Sequence, residues 1–245
     1  MLVCLNLQIK KNKSETKTGS DKKRKNNILY LRGMHKTNTA LQIASHLLET
    51  EAVKLRPEAP FTWSSGWLSP IYCDNRVTLS FPAIRSFIKM ALAEEIRAKF
   101  PQTQAIGGVA TAGIAQGALV ADELGLPYVY VRPEPKNHGM GNQIEGRLQE
   151  GQKIVMIEDL ISTGGSSLKA AQAVLNAGAE VIGMVAIFTY GFEKATQNFK
   201  SANIPLVCLS NYQNLLGIAL EQGYIRPEML ETLSDWRKSP ETWRK

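Results

Sequence analysis

Cysteine and histidine are scarce in this chain, with three of each among 245 residues. Cys4, Cys73 and Cys208 are odd in number and show no metal-ligand spacing. This excludes a disulfide-stapled secreted scaffold and a zinc module, and predicts a reduced, cytoplasmic protein. No apolar run approaches the roughly 18 residues that a membrane-spanning helix requires. The string G-x-x-x-x-G-K-[ST] is absent, as is G-x-G-x-x-G, which removes the usual grounds for an ATP or NAD site. A basic surface is also lacking, although the net charge is +7. Residues 1–33 hold nine Lys/Arg against two Asp/Glu, which is the whole excess, and residues 34–245 hold twenty of each. The globular part therefore carries no bulk bias toward nucleic acid.

The first 33 residues read as a disordered basic extension. Residues 10–27 are rich in Lys, Asn and Ser and cannot bury a core. The run Lys22, Lys23, Arg24, Lys25 reads as a solvated tail rather than an import or phosphate-binding signal. An apolar run placed before the charges is the reverse of a secretory signal. A helical pattern follows Met34 at once, so translation is expected to start naturally there, leaving 1–33 as a non-native start and 34–245 as the functional domain.

Apolar strands alternate with amphipathic helices from there on. Leu41, Ala44, Leu47 and Leu48 mark a first helix face. Residues 60–76 are short extended pieces punctuated by Gly66 and Pro70. Ser80 is expected to cap a long helix with Pro82 in its first turn and a stripe through Ile84, Phe87, Ile88, Ala91, Leu92 and Ile96. Strands are predicted at 105–109, 128–131, 181–188 and 206–209, with another that starts near Val155 and runs into Glu158 and Asp159. Helices are predicted at 113–124, 168–177 and 192–201, and from 212 and 227. A loop of about twenty residues, 132–152, follows the second strand. The pattern predicts an α/β fold, a Rossmann-like parallel sheet flanked by helices, with a small N-terminal hood at about 60–76.

The most informative string is VMIEDLISTGGSS, Val155–Ser167. It is a buried strand ending in two acids, then a turn of glycines and hydroxyls that opens a helix. Such a turn aims N–H groups and hydroxyls at an anion. The acids beside it accept hydrogen bonds from neutral hydroxyls. A ribose 5-phosphate satisfies both halves. Glu158 and Asp159 lie on opposite faces of a strand, so one can face a ligand while the other is structural. At sheets of this kind ligands bind at the carboxyl ends of strands. The turn at Ala110–Gly113 and the loop after Val131 are expected to converge there with Ser162–Ser166.

The whole string resembles the 5-phosphoribosyl 1-diphosphate (PRPP) signature of the type I phosphoribosyltransferases, which implies that fold. The resemblance implies that Glu158 and Asp159 take the ribose diol, and that the segment through Leu160, Ile161, Ser162, Thr163, Gly164, Gly165 and Ser166 holds the donor, with its loop around the 5-phosphate. It assigns the diphosphate to the turn at Ala110, Thr111, Ala112 and Gly113. The loop RPEPKNHGMGNQIEGR, 132–147, is similar to the mobile catalytic loop of orotate phosphoribosyltransferases, with Arg132, Lys136 and His138 meeting the diphosphate. The segment FTWSSGWLSPIYCDNR, 61–76, resembles that family's hood over the base. It places Ser69, Ile71, Tyr72 and Cys73 there, with Tyr72 a stacking partner. Ser162 and Tyr190 complete the expected orotate contacts.

The implied activity is transfer of the 5-phosphoribosyl group from PRPP to orotate, with Lys136, Asp159 and Glu158 as the catalytic residues. The implied cofactor is Mg²⁺, held mainly through PRPP and water with Asp159 as a candidate protein ligand. A homodimer sharing its catalytic loop is expected, with neither nucleic acid nor membrane as a partner. Two alternatives stand beside this reading. One is a phosphoribosyltransferase for adenine, xanthine or uracil; the other is a PRPP-sensing regulator that binds nucleic acid. The chain departs from several relatives in lacking lysine at Ser64, Ala112 and Pro133, and in lacking an arginine near Tyr190.

Overall fold

A computed structural model describes residues 38–63, 65–132 and 143–244. The basic extension, Ser64, Pro133, Lys136 and His138 lie outside the described residues. The chain divides into two compact units at Thr39/Ala40, and the hood, the main sheet and the site all belong to the unit from Ala40 onward.

The first helix, α1, covers residues 38–49 and buries Ile43, Ala44, Leu47 and Leu48. The hood follows as four short strands. Strand β1 (Val53–Leu55) pairs antiparallel with β4 (Ile71–Cys73), and β2 (Phe61–Thr62) pairs with β3 (Leu68–Ser69) as a hairpin. Trp63 and Trp67 stack across the hairpin with centroids 6.5 Å apart.

A 3-10 helix, Asn75–Ser80, leads into α2, Pro82–Lys99. The expected Ser80 cap is not formed. The 3-10 turn carries the chain through Ser80, Phe81 becomes the α2 N-cap without a side-chain bond, and Pro82 opens the helix as anticipated. Proline supplies the helical φ and lacks an N–H that would need a partner there.

The main sheet is built from β5 (Ala105–Val109), β6 (Tyr128–Val131), β7 (Ile144–Glu145), β8 (Lys153–Ile161), β9 (Glu180–Thr189) and β10 (Leu206–Asn211). Its order is β10-β9-β8-β5-β6-β7, with all pairs parallel except β6–β7. Helices α3 (Gly113–Leu124), α4 (Gly165–Asn176), α5 (Glu193–Ser201), α6 (Tyr212–Glu221) and α7 (Met229–Lys238) complete the chain.

Both sheet faces are covered, and β8 shows it residue by residue. Val155 and Ile157 join the core shared with α1, α2, α3 and α6, while Ile154 and Met156 join the core under α4 and α5. This alternation makes the strand read as continuously apolar. After β5 the chain moves to one side of the sheet, to β6; after β8 it moves to the other, to β9. Neighbouring strands that feed connections in opposite directions open a crevice between them at their carboxyl ends.

Candidate active site

That crevice holds a cavity of about 330 Å³, walled by Ala110–Ala112 after β5, by Glu158–Leu160 at the end of β8, and by Ser162–Ser167. Sequence reasoning expected the strand-end turns to meet, and these two do. Each opens a twelve-residue helix whose N-cap lacks a side-chain bond: Ala112 for α3 and Gly164 for α4. Two helix N-termini with uncapped N–H groups on one cavity suit a ligand with anionic groups at two places.

The second turn is tightly built. Gly164 has φ +80°, and a Cβ there would lie 2.6 Å from the Phe199 ring. Only glycine combines that backbone with that contact. Asn198 Nδ2 donates to the Thr163 carbonyl at 2.9 Å, fixing the loop from α5. Helix α4 begins at Gly165, three residues before the expected Leu168, so the N–H groups of Gly165, Ser166 and Ser167 are its first-turn donors.

The two acids differ in setting. Glu158 is 6% exposed. Its Oε2 accepts from the Ser167 hydroxyl at 2.8 Å, and its Oε1 accepts from the Asp159 N–H at 3.0 Å. Burial first, then the charge of Asp159, pushes its carboxyl well above the usual range. Asp159 is less buried and is also raised by burial. Both line the cavity and their carboxyl groups hydrogen-bond to each other, with Asp159 also accepting from the Leu160 N–H.

The first turn is tied down by Ala110 N–H donating to the Val131 carbonyl at 2.8 Å. Its Ala110–Thr111 peptide is cis. Gly113 stands behind the wall, packed on the Ile157 carbonyl. Ile161 also leaves the cavity. Its side chain is wholly buried under α4, and its carbonyl receives Thr189 Oγ1 and Tyr190 N–H. Arg132 is half-buried at the end of β6, its Nε 3.9 Å from Glu145 Oε1.

The hood approaches the acids from the other side. Tyr72 is 44% exposed, its ring 5.6 Å from that of Phe61. Cys73 sits beside Asn75, whose Nδ2 donates to the Asp159 carbonyl at 2.7 Å. Burial, then the charge of Asp159, pushes the Cys73 thiol up. Ser69 and Ile71 are buried and bond to each other. Tyr190 is only 2% exposed, packed among Trp63, Phe188, Phe192 and Trp236. Burial raises the pKa of its hydroxyl. An arginine does reach this turn, from α7: Arg237 donates to the carbonyls of Tyr190 and Gly191, each at 3.1 Å.

Sequence reasoning missed three polar contacts. Asn75, Asn198 and Arg237 each hold a site-forming backbone carbonyl from a distant element. Asparagine and arginine carry no periodicity that would mark them.

The donor chemistry accommodates Mg²⁺. Glu158 is buried and both of its oxygens accept protein donors, while Asp159 is the more exposed of the two acids and puts one hard carboxylate beside the cavity. One or two protein carboxylates, with substrate oxygens and water completing the shell, is the usual arrangement for this ion.

Residues 82–219 match the model of the phosphoribosyl transferase domain. Among curated proteins, the orotate phosphoribosyltransferase of Porphyromonas gingivalis is 60% identical over 201 residues, covering 82% of this chain and 96% of that protein. The orotate phosphoribosyltransferase of Listeria monocytogenes is 55% identical over 204 residues, covering 83% and 98%. Among solved structures, orotate phosphoribosyltransferase from Aeropyrum pernix superposes with a TM-score of 0.62 at 29% identity, covering 74% of this chain and 99% of that one. With identity of this order running through nearly the whole length of such relatives, and a strand-end cavity on which two helix N-termini and two carboxyl groups converge, the chain belongs to the orotate phosphoribosyltransferase family.

Proposed function

We infer that the protein transfers the 5-phosphoribosyl group of PRPP to orotate, giving orotidine 5′-phosphate and diphosphate, the phosphoribosylation step of pyrimidine synthesis. The observation that carries this is the strand-end cavity in which two helix N-termini face two adjoining carboxylates.

The chain's own residues then divide the work. The first-turn N–H groups of α4, with the hydroxyls of Thr163 and Ser166, bind the 5-phosphate. Asp159 accepts from the ribose diol, and Glu158 orients it by holding its N–H. The Thr111–Ala112 turn offers N–H groups to the diphosphate. The orotate ring lies under the hood against Tyr72 and Cys73, with the Ser162 hydroxyl and the Tyr190 hydroxyl as polar partners. The absent lysines at Ser64, Ala112 and Pro133 shift diphosphate binding toward backbone donors. Mg²⁺, when bound, neutralises diphosphate charge. No proton transfer at the ribose carbon is needed, so positioning and charge carry the step.

The C–O bond to diphosphate breaks as the C–N bond to orotate forms, through a cation-like ribosyl centre. The carboxylates below it are complementary to that charge. Arg132, Lys136 and His138 close over the leaving group, whose charge grows as the bond breaks. Such contacts strengthen in the transition state, and closure excludes water that would capture the ribosyl cation. A cytoplasmic homodimer with the loop shared between subunits completes the reading.

An assay with PRPP, Mg²⁺ and a panel of orotate, adenine, xanthine and uracil tests it. Orotate alone is expected to be consumed, in an Mg²⁺-dependent manner; turnover of another base without orotate overturns it. Lys136→Ala is expected to lower the single-turnover rate by about 10²-fold with PRPP affinity little changed. An unchanged single-turnover rate removes Lys136 from the chemistry.

A further inference from the structure

Asn75 follows the hood strands directly, and its side chain bonds to the acid-bearing strand 84 residues away in sequence. It is 1% exposed. It opens the 3-10 helix immediately after β4, the strand that carries Tyr72 and Cys73. Its Nδ2 donates to the Asp159 carbonyl at 2.7 Å, and its Oδ1 lies 3.4 Å from the Cys73 Sγ. The ladder between β5 and β8 ends at Gly108–Ile157, two residues short of Asp159, so the amide takes a place no strand fills.

The mounting of Asn75 is rigid. Thr78 Oγ1 donates to its carbonyl at 2.6 Å. On one side, Asp74 N–H donates to the Ala52 carbonyl at 2.7 Å. On the other, the Asp74 carboxylate receives Arg76 Nε at 2.7 Å and Nη2 at 2.9 Å. A displacement of β4 by a ring lying against Tyr72 and Cys73 therefore reaches the Asp159 backbone through one short, stiff link.

We propose that Asn75 is a positioning residue that couples the base site to the diol site, so that orotate under the hood and ribose phosphate on Asp159 each tighten the binding of the other. The proposal rests on the orotate reading of the site. The effect is reciprocal, because coupling between two binding equilibria has one magnitude in both directions.

The test is calorimetric titration of orotate with and without saturating ribose 5-phosphate, which carries the diol and phosphate but has no leaving group. For the unmodified protein, ribose 5-phosphate is expected to tighten orotate by about fivefold or more. Asn75→Ala and Asn75→Asp are expected to reduce this to less than about twofold, since neither can donate to the carbonyl. Thr78→Val removes the neighbouring buried bond of the same segment but spares the link to Asp159, and is expected to keep the coupling.

Equal loss in Thr78→Val and the Asn75 variants overturns the proposal in favour of a structural role, as does failure of both Asn75 variants to fold. Coupling retained in a folded Asn75 variant overturns it too, and so does absent coupling in an unmodified protein that turns over orotate. An unmodified protein that turns over no orotate at all fails the functional reading itself, which the assay of bases detects separately.

Discussion

Replacing both acids by their amides, Glu158→Gln with Asp159→Asn, is expected to raise the melting temperature of the free protein while abolishing transfer. Glu158 is buried, Asp159 is partly so, and burial raises both carboxyl groups above their ordinary range. Between that ordinary range and the raised folded-state values, the folded protein holds more protons than the unfolded chain. Stability therefore falls as pH rises through the interval. The amides keep the shape and the acceptor oxygens for Ser167 and the Asp159 N–H, but carry no charge to desolvate. The variant is expected to melt about 4 °C or more above the parent at pH 8, with the gap closing toward pH 4, where the parent's acids are protonated. On the proposed mechanism, which sets these charges beneath the ribosyl cation, their loss is expected to reduce transfer on the order of 10⁴-fold. Melting curves from pH 4 to 8, paired with single-turnover rates, check both halves. A variant that melts below its parent at pH 8, or that retains transfer, would falsify the view that the site holds a charge arrangement suited to the transition state at a cost to the empty protein.

The site was legible in the sequence where its parts are local. VMIEDLISTGGSS contains its strand, acids, turn and helix start in thirteen residues, and the structure assembles them in that order. The five parallel strands of the sheet were legible because they are largely apolar, as strands covered on both faces are. The start of α4 was read three residues late because Gly165, Ser166 and Ser167 are weak helix formers. Their helical geometry is set instead by Gly164 and by Ser167 bonding Glu158. Strand β7 was hidden in a long loop because two residues have no measurable period.

Tyr190 was read at a strand end, but its burial depends on Trp236 in α7 and Trp63 in the hood, neither near it in the chain. The missing arginine has the same lesson. None stands beside Tyr190 in sequence, yet Arg237 binds that turn from α7. Contacts that cross the fold leave no local pattern, and Asn75 is the clearest of them.

Gly113→Ala tests how far the cavity depends on close backbone packing. A Cβ at Gly113 would lie 2.5 Å from the Ile157 carbonyl oxygen, and one at Gly108 would lie 2.7 Å from the Gly113 carbonyl oxygen. At Gly113 helix α3 thus rests directly on the β8 backbone, and the nearest atoms, those of Ile157 and Glu158, belong to the main chain and not to a side chain that could yield. Ala112, in the cavity-lining turn after β5, precedes Gly113, and Glu158 follows Ile157. Any shift that relieves the clash therefore separates the turn from the acids. Overpacking of this kind costs about 2–3 kcal/mol, a fall of roughly 4–12 °C in melting temperature for a domain of this size. Misplacement approaching 1 Å is expected to lower kcat/KM by about 10²-fold or more, measured well below the transition. Gly217→Ala is the control: a Cβ in that turn of α6 meets nothing within 4 Å, so helix propensity alone acts and stability rises slightly with transfer unchanged. If the two alanines behaved alike, the separation between the turn after β5 and the acids would not be set by the α3–β8 contact, and the cavity would have to owe its width to the loops alone.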